Sequence, residues 1–386
     1  MSNNNDFKPQ IRFKEFTNAW VQLIIEELVY YIRPDKYTTT LKKLLEKGKI
    51  PVLTANKSFL LGYSNEDNFF DQESIIFDDF TLLFKYVNFP YIVKSSAIKI
   101  LLTDNTKNNL YFISLLLKKL NLKSENHARH YISLVQKTNV KITNFQEQNK
   151  ISKIFTNLDS SIALLQRKLE KMKNIKEFLL NKMFVSYQAQ FPEIRFKEFT
   201  NPWVQEQFNS FITWYSQKNS SNLKYKSYSV SNNLGFILQN DFFNSGGKAV
   251  HADKTNSKIV RPNSFAFNPS RINIGSIAYY RNQENGLVSN IYETFFTNEM
   301  IDDYYLECFF KTHIFKKIIN LYKNSGVRDS FSIQKSKFVK INIPSLKEQE
   351  RIIKLLKTLD SSIALLQRKL KKLENIKSTL LNKMFV

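Results

Sequence analysis

The chain is short of the residues from which the commonest kinds of site are built. It has one cysteine, Cys308, in 386 residues. A single thiol excludes an intramolecular disulfide. Its setting in the apolar run YYLECFF reads as a small core residue rather than a nucleophile. Histidine occurs four times. His127 and His130 stand three apart with no third ligand nearby, which reads as a solvated basic loop around Arg129 and not as a metal site. There are eight glycines, and the Gly246–Gly247 pair fits neither G-x-G-x-x-G nor G-x-x-x-x-G-K-[ST], so no phosphate-cradling loop is expected. No run approaches 18 uninterrupted apolar residues and Met1–Gln10 is polar. Neither a membrane span nor a signal peptide is expected, and the cytoplasm is the natural compartment. Acid is scarce as well: 34 Asp and Glu face 57 Lys and Arg, for a formal net charge of +23. Such an excess points to a polyanionic partner or a membrane surface, and a generally Lys-rich composition would also produce it; nucleic acid comes forward only once the architecture below is added.

What the chain does have is two copies of itself. Residues 11–22 (IRFKEFTNAWVQ) return as 194–205 (IRFKEFTNPWVQ) with one difference. Residues 158–185 return as 359–386 with 23 of 28 positions identical. The stretches between these blocks do not repeat. The unit is therefore a constant opening, a variable middle and a constant close.

The closing block predicts a long helix. No Gly or Pro occurs from Phe145 to Val185, and Ile151, Leu158, Leu165, Met172 and Leu179 recur every seven residues beside a second row interrupted at Lys176. Ile352, Leu359, Leu366, Leu373 and Leu380 repeat the register. A seven-residue apolar repeat is a coiled-coil seam, and the partner most readily available is the other copy. Antiparallel pairing is expected. About 38 residues would make a rod on the order of 57 Å long.

The middles are of ordinary domain size. In the first, VQLIIEELVYYI after Trp20 predicts a helix, followed by strands at Ile50–Leu53, Ser74–Phe77, Leu82–Val87 and Tyr91–Leu102 and a helix over Leu110–Leu120 capped by Asn109. In the second, strands are predicted at Tyr228–Ser231, Phe236–Gln239, Ser264–Phe267, Ile274–Tyr280 and Leu287–Val288, then one helix over Asp302–Tyr322. The expected fold class is mixed α/β (α+β): two globular domains separated by two long antiparallel coiled-coil helices, a pseudo-two-fold internal repeat. The segments are 1–19, a first repeated opening; 20–144, the first variable domain; 145–189, the central helical spacer; 190–203, the second opening; 204–344, the second variable domain; and 345–386, the distal spacer.

These features resemble the specificity subunit of type I restriction–modification systems. The resemblance rests on the repeated opening Pro192–Trp203 with Ile11–Trp20 as its partner, and on the closing helices introduced by K-E-Q-E-R-I (Lys347–Ile352) and Q-E-Q-N-K-I (Gln146–Ile151). The strands KIPVLTA and RPNSFAFNPSRINIGSIA (Arg261–Ala278) add to it. It implies two target recognition domains, each reading half of a split double-stranded DNA site, and helices that set the gap and dock two modification (methyltransferase) subunits. It further implies restriction/translocase subunits as partners, no membrane, and no catalysis or bound cofactor or metal in this chain. S-adenosylmethionine, ATP and Mg belong to the partner subunits. Asn268-Pro269-Ser270-Arg271 lacks the second Pro and the aromatic of an amino-methyltransferase motif and reads as a loop.

Recognition of this kind needs donors for base edges and cations for phosphates. The polar clusters that punctuate the apolar runs supply candidates. They are Asn56, Lys57, Ser58 and Lys94 in the first domain, and Lys248, His251, Lys254, Asn256, Lys258, Ser270, Arg271, Asn273 and Arg281 in the second. The identical tripeptides Gln166-Arg167-Lys168 and Gln367-Arg368-Lys369 are candidate docking surfaces. The competing reading is a coiled-coil scaffold with two globular heads and no DNA role.

Overall fold

In the computed structural model, the structure describes residues 7–56, 58–122, 129–186, 188–232, 234–242, 253–322, 331–332 and 339–386. Contacts divide the chain into two compact units. Unit 1 takes residues 1–167 and the C-terminal stretch 368–386; unit 2 takes 168–367. Each unit therefore owns one variable domain, the first part of one long helix and the last part of the other.

Both units are built to one plan. In unit 1 the strands are β1 (Val21–Ile24), β2 (Tyr30–Ile32), β3 (Ile50–Leu53), β4 (Leu60–Ser64), β5 (Ser74–Asp78), β6 (Phe84–Val87), β7 (Ile92–Val93), β8 (Ile98–Leu102) and β9 (Asn139–Ile142). They form an antiparallel sheet ordered β2-β8-β5-β6, a sheet β4-β3-β7 with β3 and β7 parallel, and the ribbon β1-β9. Unit 2 has β10 (Val204–Gln207), β11 (Ile212–Tyr215), β12 (Lys226–Ser231), β13 (Gly235–Leu238), β14 (Lys258–Val260), β15 (Ser264–Phe267), β16 (Ile277–Tyr280), β17 (Gly286–Val288), β18 (Glu293–Thr297) and β19 (Lys340–Ile343). Its sheets are β11-β18-β15-β16, β13-β12-β17-β14 and β10-β19. Strand for strand this is the order of unit 1, with β14 added at one edge. The central strands β5 and β8 are buried along their whole length, so apolar residues face both sides instead of alternating, and the one cation among them, Lys99 of β8, is paired with Asp79.

Three expectations are corrected. VQLIIEELVYYI is not a helix: β1 pairs with β9, a single helical turn occupies Ile25–Leu28, and β2 pairs with β8. Its aliphatic and aromatic ends are claimed by sheet partners far along the chain, and tertiary pairing overrides local propensity. Tyr91–Leu102 is two strands, parted at Lys94–Ala97. Asp302–Tyr322 is two helices, α3 and α4 below, because the Thr312 hydroxyl donates to the Phe309 carbonyl and accepts from the Phe315 amide, ending one helix and capping the next.

The helices are α1 (Leu110–Leu120), α2 (Phe145–Lys182), α3 (Asp303–Phe310), α4 (His313–Tyr322) and α5 (Leu346–Lys383). Asn109 caps α1 through the Phe112 amide, and Asp302 caps α3 through two amides. The long helices α2 and α5 each run 38 residues. They run antiparallel in both units. In unit 1, Asp159 of α2 pairs with Lys377 of α5, while the earlier Phe155 meets the later Phe385 at 6.1 Å between ring centroids. In unit 2, Lys176 of α2 pairs with Asp360 of α5, and Leu180 and Met183 share a core with Ile352, Leu356 and Leu359. The break in the apolar stripe at Lys176 is thereby explained. The lysine side chains are only 17% and 18% exposed, and each aspartate also accepts a tyrosine hydroxyl from its own globular domain, Tyr111 to Asp159 and Tyr304 to Asp360.

The constant opening is a clamp on the ends of these helices. The Ile11 amide donates to the Lys383 carbonyl at the end of α5, as the Ile194 amide does to Lys182 at the end of α2. Arg12 makes a bidentate pair with Glu147 near the start of α2 (2.8 and 2.7 Å), and Arg195 does the same with Glu348 near the start of α5 (both 2.8 Å). Trp20 and Trp203 are each 2% exposed. Trp20 sits against Phe112 and Phe385, and Trp203 against Tyr305, which stacks on Phe184. The neighbouring Gln148 and Gln349 accept the Asn109 and Asp302 amides, joining each long helix to the cap of its domain's helix.

Because Glu348 is almost wholly buried, Glu348→Ala leaves the Arg195 guanidinium buried and unpaired, at a cost of about 3–5 kcal/mol. Arg351→Ala, which removes an exposed pair with Glu198 and a surface contact over the Phe196 ring, should lose far less, on the order of 1 kcal/mol. Urea unfolding of the two variants compares them directly; equal losses would mean the clamp does not hold the unit together.

Candidate functional site

The candidate residues fall into three groups. The first is held by partners inside the protein. Lys94, on the β7–β8 connection, donates to the Leu41 carbonyl. Lys258 on β14 donates to the Tyr292 carbonyl at 2.6 Å, and burial holds its pKa below the usual lysine range. Arg281, just past β16, lies over the Tyr279 ring and pairs with Glu307 of α3. Burial alone would raise Glu307, but the Arg281 guanidinium and the Lys311 ammonium outweigh it and keep the carboxyl below the ordinary range. These three cations order their own loops.

The second group is presented to solvent. Asn56 and Ser58 lie in the β3–β4 turn. Ser270, Arg271 and Asn273 lie in the β15–β16 connection, all exposed, with the intervening Ile272 only 2% exposed and serving as the anchor. That loop is rigid. Asn268 Oδ1 accepts the Ser270 amide, Arg271 O accepts the Ser276 amide, and the Ser276 hydroxyl donates to the Val230 carbonyl of β12. Asn256 and Lys254 line a cavity of about 240 Å³ with Asp253, Ser289 and Asn290. Of these two, only Asn256 is exposed; Lys254 belongs with the first group, since it is half-buried, donates to Gln239, and has its pKa lowered by burial. The third group, Lys57, Lys248 and His251, lies outside the described residues, as does His127.

On the long helices, Gln166, Arg167 and Lys168 and their copies Gln367, Arg368 and Lys369 are all exposed. Sequence reasoning passed over the apolar residues beside them. Leu164 and Leu365 are 53% and 47% exposed, and Ile175 and Ile376 are 36% and 38%. Leu164 and Leu365 are visible in the sequence as apolar residues off the heptad seam, whereas Ile175 and Ile376 read as part of its second row.

The hairpin tips also hold residues the sequence did not single out. In unit 1 the Thr81 hydroxyl, on the β5–β6 turn, donates to Asn56 on the β3–β4 turn at 3.3 Å. Phe80 and Leu83 beside it are 36% and 43% exposed. In unit 2 the equivalent turns carry Asn232, Leu234 (76% exposed) and Ile274 (51% exposed). The signal was the turn chemistry of Asn232 and Gly235, which escapes a search for charge.

Cys308 is 1% exposed in the core of unit 2, and burial pushes its thiol up to about 12. The thiolate is the nucleophile, so this group stays inert at neutral pH. Iodoacetamide at pH 8 should leave the native chain unmodified and alkylate it once in urea; rapid native labelling would contradict the buried position.

Two duplicated α/β units, each joining a pair of small sheets to the ends of long antiparallel helices, define a class of internally repeated, two-unit proteins. The family model for the type I restriction modification DNA specificity domain matches residues 19–174 and again 209–375, and the chain belongs to that family. A specificity subunit of the Escherichia coli type I restriction enzyme EcoR124I/EcoR124II is 39% identical over 118 residues. That match spans 29% of this chain and 29% of the relative's length. The fold is similar to the S subunit of a type I restriction–modification system from M. genitalium, with a TM-score of 0.65 at 15% identity, covering 98% of this chain and 99% of that one. A second solved structure, from work on complex assembly and conformational transition of the type I R-M system, matches at a TM-score of 0.51 and 11% identity, covering 96% and 98%. Among the described residues, no helix is long and apolar enough to cross a membrane.

Proposed function

We propose that this chain is the DNA-recognition subunit of a type I restriction–modification complex, in which unit 1 reads one half of a split duplex site and unit 2 reads the other. One observation carries the reading. The clamp, the Asp–Lys–Tyr contacts and, apart from the added β14, the sheet order are the same in both units, whereas the residues at the hairpin tips are not. A constant frame with variable tips suits two readers with different sequences to find, so the full site is asymmetric. The +23 charge supplies the phosphate attraction that any such reader requires.

In this reading the long helices fix the distance between half-sites, about one helical turn of DNA. Their exposed copies, Gln166-Arg167-Lys168 with Leu164 and Gln367-Arg368-Lys369 with Leu365, each dock one modification subunit. Methyl transfer, with S-adenosylmethionine, and ATP-driven steps, with Mg, reside on the partners, which include restriction/translocase subunits. This chain contributes recognition and no chemistry, and works in the cytoplasm.

Single-molecule sequencing of DNA from cells co-expressing this chain with its modification subunit should reveal methylated adenine in a split asymmetric motif with a fixed gap. Soluble complex without any new motif would favour the scaffold reading. Adding one turn to each long helix moves its ends about 5.4 Å, on the order of one to two base pairs. The gap should change and both half-sites persist; altered half-sites would end the division of labour between helices and domains. Arg271→Ala in the complex should lose about 1–3 kcal/mol of cognate affinity, as expected for a base-edge or close phosphate contact. Retardation titrations at fixed salt would read this loss, and wild-type affinity would remove Arg271 from the interface.

A further inference from the structure

In each unit two hairpin tips, one from each sheet, meet at a single rim. In unit 1 they are the β3–β4 and β5–β6 turns, joined by Thr81 and Asn56. In unit 2 they are the β12–β13 and β15–β16 turns, and here the approach is closer still. A side chain added at Gly275 would come within 3.1 Å of the Asn232 Cβ. The backbone geometry is the same as well. Gly275 has φ +89° and, at the matching place before β6, Leu82 has φ +57°. A leucine held in the left-handed region costs energy, and such strain persists where the surroundings impose it.

At both rims the exposed side chains pair amide or guanidinium donors with large apolar groups. Unit 2 offers Asn232, Arg271 and Asn273 beside Leu234 and Ile274. Unit 1 offers Asn56 and Thr81 beside Phe80 and Leu83. Phosphate contact explains the arginine but not the apolar members, which gain nothing from water or from a phosphate. A base-pair edge that presents both kinds of group is adenine with thymine in the major groove. Adenine N6 and N7 match an Asn amide, and the thymine methyl matches an aliphatic or aromatic side chain. The groove is wide enough for a two-stranded ribbon.

We propose that these paired tips are the base-reading heads, and that each reads at least one A·T pair, with Asn at adenine and the apolar neighbour on the thymine methyl. The inference rests on the DNA reading above and adds the reading element and its chemistry. The side chains concerned are exposed in the free protein, and the thymine methyl adds to the apolar surface that binding removes from water.

The test uses the complete complex with its modification subunits and a duplex carrying the wild-type methylation motif. Each thymine is replaced in turn by deoxyuridine, which deletes only the methyl. Burial of a methyl group contributes about 0.8 kcal/mol, so cognate affinity should fall about fourfold at one thymine or more in each half-site. In the double variant Leu234→Ala with Ile274→Ala, the loss should vanish in the half-site read by unit 2 and remain in the other. The second half-site thus reports that the variant is folded and bound. A wild-type complex indifferent to every methyl would overturn the proposal, and so would a methyl effect unchanged in the variant. If the wild-type complex showed no specific site, the DNA reading itself would fall, and this inference with it.

Discussion

The rest of each unit depends on a buried arginine–glutamate pair. Arg12 with Glu147, and Arg195 with Glu348, connect the opening segment to the start of a long helix, while the amide one residue earlier holds the end of the other. Neither charge can leave its partner without a large desolvation penalty, so the two helix ends are fixed side by side. Everything else in the unit is placed from that junction. Gln148 and Gln349 carry it to the caps of α1 and α3, and Tyr111 and Tyr304 carry it from those helices back to Asp159 and Asp360. The opening repeats almost letter for letter, and its members Ile11, Arg12 and Trp20 make contacts that Ile194, Arg195 and Trp203 make again in unit 2.

Unit 1 shows how far the chain goes to complete this junction. The carbonyl of Lys383 and the ring of Phe385 come from the far end of the sequence, yet they sit as Lys182 and Phe184 sit in unit 2, where they immediately precede the opening. The contact set is the same, although the amide–carbonyl contact closes over twelve residues in unit 2 and spans nearly the whole chain in unit 1, from Ile11 to Lys383. The arginine–glutamate pair is long range in both units, and each clamp needs a residue of the final helix, Lys383 in unit 1 and Glu348 in unit 2.

Much of this was legible in the sequence, for reasons that can be named. The long helices announced themselves through a seven-residue apolar repeat, broken only in its second row at Lys176, and through the absence of Gly and Pro; the first starts at Phe145 and stops at Lys182, short of the spacer boundary expected at 189. The buried strands Ser74–Asp78 and Ser264–Phe267 were dense enough in apolar residues to read directly. What escaped was anything whose shape is decided by a distant partner. Val21–Ile32 looks helical by itself and becomes two strands because β9 and β8 lie beside it. Lys176 looked like a flaw in the stripe until Asp360 was placed against it. The candidate cations were chosen by charge, and charge does not tell a ligand-facing lysine from one that, like Lys258, is bonded to a backbone carbonyl. Asn232 and Leu234 carry no charge and were passed over.

The two units also show where this frame tolerates change. Position for position, Ser114 on α1 stands where α3 has Glu307, and in unit 2 that carboxylate draws in Arg281 and Lys311 to order the end of β16. Unit 1 leaves Lys118 with no such carboxylate, and burial together with Lys377 lowers its pKa. Likewise β14 is present at one sheet edge and absent from the other. These differences all lie away from the clamp. Substitution at the tips can therefore leave undisturbed the contacts that hold a unit together, because the variable residues hang from hairpins whose roots are buried. The separation is achieved by putting the constant chemistry at the helix ends and the variable chemistry at the ends of strands.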